Sequence, residues 1–162
     1  MKLNKRIKQI ALAAGAVAVG WGAVTLMTPA TENSPNGDST PIQAIVYRSP
    51  TCGCCGNYFS YLKKSGFEVE TEWAQDNEER RTRFGIPNDL ASCHTTVVGD
   101  YVIEGHVPVE AIRKLLEEKP ALRGIAMPGM PSGSPGMPGP KRGEFVIYAI
   151  NKEGAEDVFM KI

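Results

Sequence analysis

Apolar residues run without a charge from Ile10 to Met27, stop, and return from residue 42 onward in short groups spaced for strands and helices. The first run follows Lys2, Lys5, Arg6 and Lys8, and a basic flank ahead of a long apolar stretch is an export signal. Its 18 residues exceed an ordinary signal core and sit near the lower limit for a membrane span. Thr28-Pro29-Ala30 matches a small-x-small cleavage site poorly, so residues 1–30 are read as either a signal peptide or an N-terminal membrane anchor. Either way the basic flank stays inside and the rest is exported, to the periplasm or another extracytoplasmic space. Residues 31–41 (TENSPNGDSTP) form a polar, flexible linker, and residues 42–162 suffice for one modest core and a single domain.

Within that domain the periodicity alternates. Gln43 to Tyr47 is a β-type run, and Asn57 to Lys64 places Tyr58, Tyr61 and Leu62 at helical spacing before the stop Ser65-Gly66. Phe67 to Trp73 alternates apolar residues with Glu, as a half-buried strand does, and Trp73 with the other aromatics is assigned to the core. Asp76 to Phe84 is a charged helix with Asp76 as N-cap and Gly85-Ile86-Pro87 closing it. Thr95 to Val98 and Tyr101 to Glu104 flank Gly99-Asp100 as a hairpin, and Pro108 to Lys119 is a helix with Val109, Ile112, Leu115 and Leu116 on one face. The order β-α-β-α-β-β-α is the connectivity of a thioredoxin-like α/β fold. Glu144 to Asn151 and Asp157 to Lys161 add a C-terminal β-hairpin. Gly124 to Gly143 holds five of the twelve prolines, so neither helix nor central strand is expected there.

The balanced formal charge hides an asymmetry. Residues 1–30 hold four of the 18 basic residues and none of the 18 acidic ones, leaving 14 basic against 18 acidic, a net −4, on the remainder. Mild acidity without a basic stripe argues against nucleic acid as a partner. No Gly-rich phosphate loop follows a strand, which removes a phosphate-loop enzyme from consideration.

Three of the four cysteines, Cys52, Cys54 and Cys55, fall within four residues at a strand-to-helix junction. Unpaired N–H groups at a helix start favour thiolates, which are nucleophiles and soft-metal ligands. Cys52 and Cys55 form the Cys-x-x-Cys of a redox pair, so a thiol–disulfide oxidoreductase is the rival reading. Against it, Cys54 is wedged between the pair, where it would shuffle partners. Ser92-Cys93-His94 also stands where a redox enzyme of this fold places a proline, which would bring Cys93 within reach of the others. Two structural disulfides are disfavoured, because neighbours such as Cys54 and Cys55 bridge only with strain; one bridge, with Cys93 as a partner, is feasible.

Adjacent Cys54 and Cys55 are awkward ligands for one tetrahedral ion, a problem that bridging thiolates across several metals relieves. Soft thiolates favour Cu(I), ahead of zinc, while an iron–sulfur cluster would be lost by a chain exported unfolded. His94, directly after Cys93, is a candidate ligand. Met127, Met130 and Met137 lie in the Pro-rich loop, where thioethers, unprotonated at any pH, either collect Cu(I) or plug surface grooves.

The segments Cys52-Gly-Cys-Cys-Gly56, Ser92-Cys-His-Thr95, Tyr101-Val-Ile-Glu-Gly-His-Val-Pro108 and Met127-Pro-Gly-Met-Pro-Ser-Gly-Ser-Pro-Gly-Met137 resemble those of a bacterial family of exported metal-binding proteins. That resemblance spans roughly residues 44–150. It implies a thioredoxin-like fold, a link to copper resistance, and copper ions and other exported copper-handling proteins as partners. It also favours His106 as a ligand or as support for one, against its plainer role of anchoring a turn.

Overall fold

The computed structural model describes residues 40–151 and 156–162, so the export segment and nearly all of the linker lie outside the described residues. The described chain is a mixed α/β unit of three helices and a seven-stranded sheet. In chain order the elements are β1 (Ile42–Arg48), α1 (Gly53–Lys64), β2 (Phe67–Trp73), α2 (Asn77–Phe84), β3 (His94–Val98), β4 (Tyr101–Glu104), α3 (Val109–Glu118), β5 (Gly124–Ala126), β6 (Val146–Ile150) and β7 (Glu156–Lys161). A single 3₁₀ turn at Asn88–Leu90 leads into β3.

The sheet order is β2-β1-β3-β4-β5-β6-β7. β1 runs parallel to β2, with Ile42 opposite Phe67, and antiparallel to β3, with Arg48 opposite His94. β3 and β4 form the hairpin expected around Gly99-Asp100, and β6 and β7 form the C-terminal one. Alternation along the strands sorts their side chains to two faces. Ile103, Ile125 and Ile147 join the larger core with Tyr58 and Leu62 of α1 and Ala111, Ile112 and Leu115 of α3. Val102, Ala126 and Ile150 face a smaller cluster with Ile86 and Leu90. The Asp76 carboxylate accepts the N–H groups of Glu78 and Glu79 and so starts α2, while Gly85, at φ +61°, ends it.

Four expectations are corrected. Helix α1 begins at Gly53 rather than near Asn57, so Cys54 and Cys55 lie inside its first turn and Cys52 is its N-cap. Gly124–Ala126 forms a central strand, β5, parallel to β4 and antiparallel to β6, although its three residues are too few to show a period. Trp73 is not core: it ends edge strand β2, is 57% exposed, and carries the Arg48 guanidinium 4.8 Å from its ring centre. A bridge exists, but it joins Cys52 to Cys55 and leaves Cys54 and Cys93 as free thiols.

Candidate metal centre

The site forms where the start of α1 meets the start of β3. The β1–α1 connection is tied down by Arg48, whose Nη1 donates to the Cys52 carbonyl at 3.0 Å. The first turn of the helix lowers Cys55 into full burial, while Cys52 and Cys54 stay half-buried. Antiparallel pairing of β1 with β3 then brings residue 93 to the same end of the sheet.

Cys93 Sγ lies 3.6 Å from Cys55 Sγ and 4.0 Å from Cys54 Sγ, and Cys54 Sγ lies 3.5 Å from Cys52 Sγ. All four sulfurs fall within 4.8 Å of one another. Thiolates sharing one tetrahedral metal, with metal–sulfur bonds of about 2.3 Å, stand about 3.8 Å apart. These three spacings are therefore metal-ready to within a few tenths of an ångström. Only the bonded pair Cys52–Cys55 is too close, and its reduction supplies the remaining two thiols.

Cys93 also belongs to a second group. Its sulfur is 3.3 Å from His94 Nδ1 and 3.4 Å from His106 Nε2, and both imidazoles are fully buried. His106 Nδ1 lies 2.7 Å from the Pro135 carbonyl, which accepts only if that nitrogen carries the proton. Nε2 is then left as a lone pair facing Cys93, the orientation a metal-binding histidine needs. Tyr58 packs against both rings, with centroids 4.7 Å from His94 and 5.4 Å from His106, while the two imidazoles meet edge to face at 4.9 Å; the Tyr58 hydroxyl donates to the Val107 carbonyl at 2.8 Å.

The electrostatics favour neutral imidazoles. Burial lowers the His94 pKa far below its usual value, and nearby His106, Arg80 and Arg48 push the same way. Burial lowers His106 as well, opposed by its bond to Pro135. Neither imidazole has a proton to lose before it can bind a metal at neutral pH. Cys93, by contrast, is pushed up to about 12, first by burial and then by the neighbouring Cys54. A metal at this sulfur must displace a proton.

Among the sequence-singled residues, the fold thus assembles Cys52, Cys54, Cys55, Cys93, His94 and His106 in one place. The methionines divide. Met127, 1% exposed, packs in the larger core, Met137 is half-buried, and Met130 is 53% exposed. Their loop is seated on the site: Ser92 Oγ donates to the Gly129 carbonyl at 2.7 Å, and Gly136, at φ +81°, approaches Tyr58 so closely that a Cβ would come within 2.6 Å of its backbone nitrogen. Sequence reasoning missed Tyr58, Arg80, Glu104 and the Pro135 carbonyl as parts of the site. Glu104 and Pro135 lie inside motifs quoted above, which is the signal they carried; Arg80 looks like any other charge on a polar helix.

Comparison with known proteins fits this centre. The model of a family described as "Protein of unknown function, DUF411" matches residues 90–137, a stretch that holds Cys93, both histidines and the three loop methionines. No curated protein matches the chain. Two solved structures named copper resistance protein CopG, forms 1 and 2, share 35% identity with it at a TM-score of 0.70. They cover 76% of this chain, and the alignments take in 98% of form 1 and 99% of form 2.

Proposed function

Because this chain belongs to the family of the copper resistance protein CopG, we propose that it handles copper outside the cytoplasm, holding Cu(I) through Cys52, Cys54, Cys55 and Cys93 on a thioredoxin-like scaffold. The observation that carries the reading is the convergence of four sulfurs within 4.8 Å, drawn from two segments 38 residues apart. Four thiolates carry a charge of about −4, which several monovalent Cu(I) ions offset, and bridging sulfurs let neighbouring Cys54 and Cys55 serve different metals. His94 and His106 offer neutral nitrogens beside Cys93, and exposed Met130, with half-buried Met137, offers thioethers through which copper reaches or leaves the cluster. Met127, held in the core, fits packing better than ligation. The role is sequestration, relay or redox handling of copper, with residues 1–30 directing export and, if retained, tethering the domain to the inner membrane.

The experiment is anaerobic titration of the reduced protein with Cu(I) against a chromophoric chelator. More than one Cu(I) per chain at micromolar or tighter affinity is expected, and no competition with the chelator would end the proposal.

A second reading has its own observation, the Cys52–Cys55 bridge, which is the oxidised state of a thiol–disulfide oxidoreductase. Insulin reduction at a rate comparable with thioredoxin, abolished by Cys55→Ser, would make that reading primary. A rate far below it is expected, because Cys54 and Cys93 lie against the bonded sulfurs and divert exchange within the chain.

A further inference from the structure

Helix α2 is polar up to its last residue, Phe84, yet Arg80, in its middle, is only 2% exposed. Its guanidinium packs against the sheet and reaches Glu104, which is fully buried at the end of β4. Nη1 lies 3.3 Å from Glu104 Oε2 and Nη2 3.4 Å from Oε1. The contacts around this pair gather on one short segment. Glu104 accepts the Ser92 N–H at 2.7 Å and the Thr95 hydroxyl at 2.6 Å, while Arg80 donates to the Ser92 carbonyl at 2.9 Å and to Thr95 Oγ1 at 2.8 Å. Both backbone polar groups of the residue before Cys93 and the side chain of the residue after His94 are therefore held by one buried ion pair. The residue after β4 completes the enclosure: the Gly105 N–H donates to the His94 carbonyl at 3.0 Å.

Burying two charges costs several kcal/mol of desolvation each in general, and well-packed apolar residues of the same volume are often as stabilising or more so. Fold stability alone is a weak reason for such a pair. Its contacts bracket Cys93-His94 without reaching a sulfur. We propose that Arg80 and Glu104 are positioning residues of the metal centre, holding the Ser92–Thr95 segment so that Cys93 stands where it can share a metal with Cys54 and Cys55. The proposal rests on the copper reading for its consequence but not for its geometry, and the test separates the two.

The decisive variant is the shape-filling pair Arg80→Met with Glu104→Leu, which removes both charges together rather than stranding one. Its circular dichroism is expected to match that of the parent, with a lower melting temperature, because the Ser92 backbone groups and the Thr95 hydroxyl lose these partners. Its Cu(I) affinity is expected to fall 10- to 100-fold, the usual effect of losing a partner that orients a ligand. In a Cys93→Ser background the same pair of substitutions should cost little further affinity, because positioning acts through that sulfur. Thr95→Val, which keeps the ion pair and removes one hydroxyl link, is expected to weaken binding in the same direction by less, and serves if the double variant does not fold. Parent-like affinity in a folded double variant, or in Thr95→Val where that variant stands in, overturns the proposal. So does an undiminished loss in the Cys93→Ser background. A metal-free measurement stands beside these: the rate at which iodoacetamide modifies Cys93, followed by peptide mass spectrometry, should rise at least tenfold when the pair is removed. If the parent binds no Cu(I), the copper reading fails and this rate alone decides the positioning role, an unchanged rate rejecting it.

Discussion

Replacing Cys93 by Ser removes the only sulfur of the centre that comes from outside residues 52–55. Its magnitude follows from the distances. At 3.6 and 4.0 Å from Cys55 and Cys54, Cys93 Sγ straddles the separation of about 3.8 Å for thiolates on one tetrahedral metal, so it joins a cluster with a shift of a few tenths of an ångström. A serine oxygen in its place is a hard donor, poorly matched to Cu(I). Losing a mere orienting partner costs a metal site 10- to 100-fold in affinity, and losing a ligand costs at least the upper end of that, about 100-fold or 2.8 kcal/mol. Stoichiometry should also fall by at least one Cu(I) per chain, since the three remaining sulfurs cannot close the same set of bridges. The fold should survive, because Cys93 is half-buried, lies outside the apolar core, and is not in the disulfide. The assay is anaerobic competition with a chromophoric Cu(I) chelator on phosphine-reduced protein, with circular dichroism of the metal-free form as control. Unchanged stoichiometry with a Kd within about threefold of the parent would refute the reasoning. Loss of the fold, with copper binding intact in the surviving protein, would make Cys93 a structural residue.

Tyr58→Phe leaves the ring against His94 and His106 but strips the Val107 carbonyl of its donor, so denaturant unfolding should report a loss of about 1–3 kcal/mol with copper stoichiometry unchanged. Gly105→Ala places a Cβ at φ +79°, 2.5 Å from the Met127 carbonyl oxygen and 2.8 Å from the Ser92 side chain; it should lower the melting temperature and weaken Cu(I) binding together, and a neutral outcome in both would contradict the packing described. With the Cys52–Cys55 bond intact, the Cys93 thiol, held near 12 against an ordinary value of 9, should alkylate slowly at neutral pH and fast only as pH approaches 12. The sign for stability follows: an acid whose pKa is raised by folding contributes fully below pH 9, and that contribution is lost as pH climbs toward 12, which pH-dependent melting can follow against Cys93→Ser. Replacing Met130 and Met137 by Leu should leave the melting temperature and the cysteine-bound copper nearly unchanged while slowing Cu(I) exchange with a chelator in stopped flow; equal rates would reduce the two thioethers to loop packing.

By itself the sequence determined whatever depends on neighbours along the chain. Alternation placed β2, helical spacing placed α3, Asp76 and Gly85 marked the ends of α2, and Gly99-Asp100 marked a hairpin, because caps, turns and amphipathic faces are set within a few residues. It also determined that thiols would cluster, since Cys52, Cys54 and Cys55 cannot be far apart on one helical turn. The tertiary structure decided the rest. Cys93 reaches Cys55 only because β1 and β3 pair, a contact across 38 positions that no local pattern encodes. Arg80 carries the same side chain as half-buried Arg81 and exposed Arg83 on α2, and its burial comes from the sheet beneath it. β5 is too short for a period and exists because β4 and β6 offer it hydrogen bonds on both sides, which in turn draws Met127 into the core. The bond that aims His106 at Cys93 ends on the Pro135 carbonyl, and a backbone carbonyl is common to every residue. Side-chain chemistry is thus written in the sequence, whereas its meeting points are set by strand pairing and loop closure, which depend on the whole chain at once.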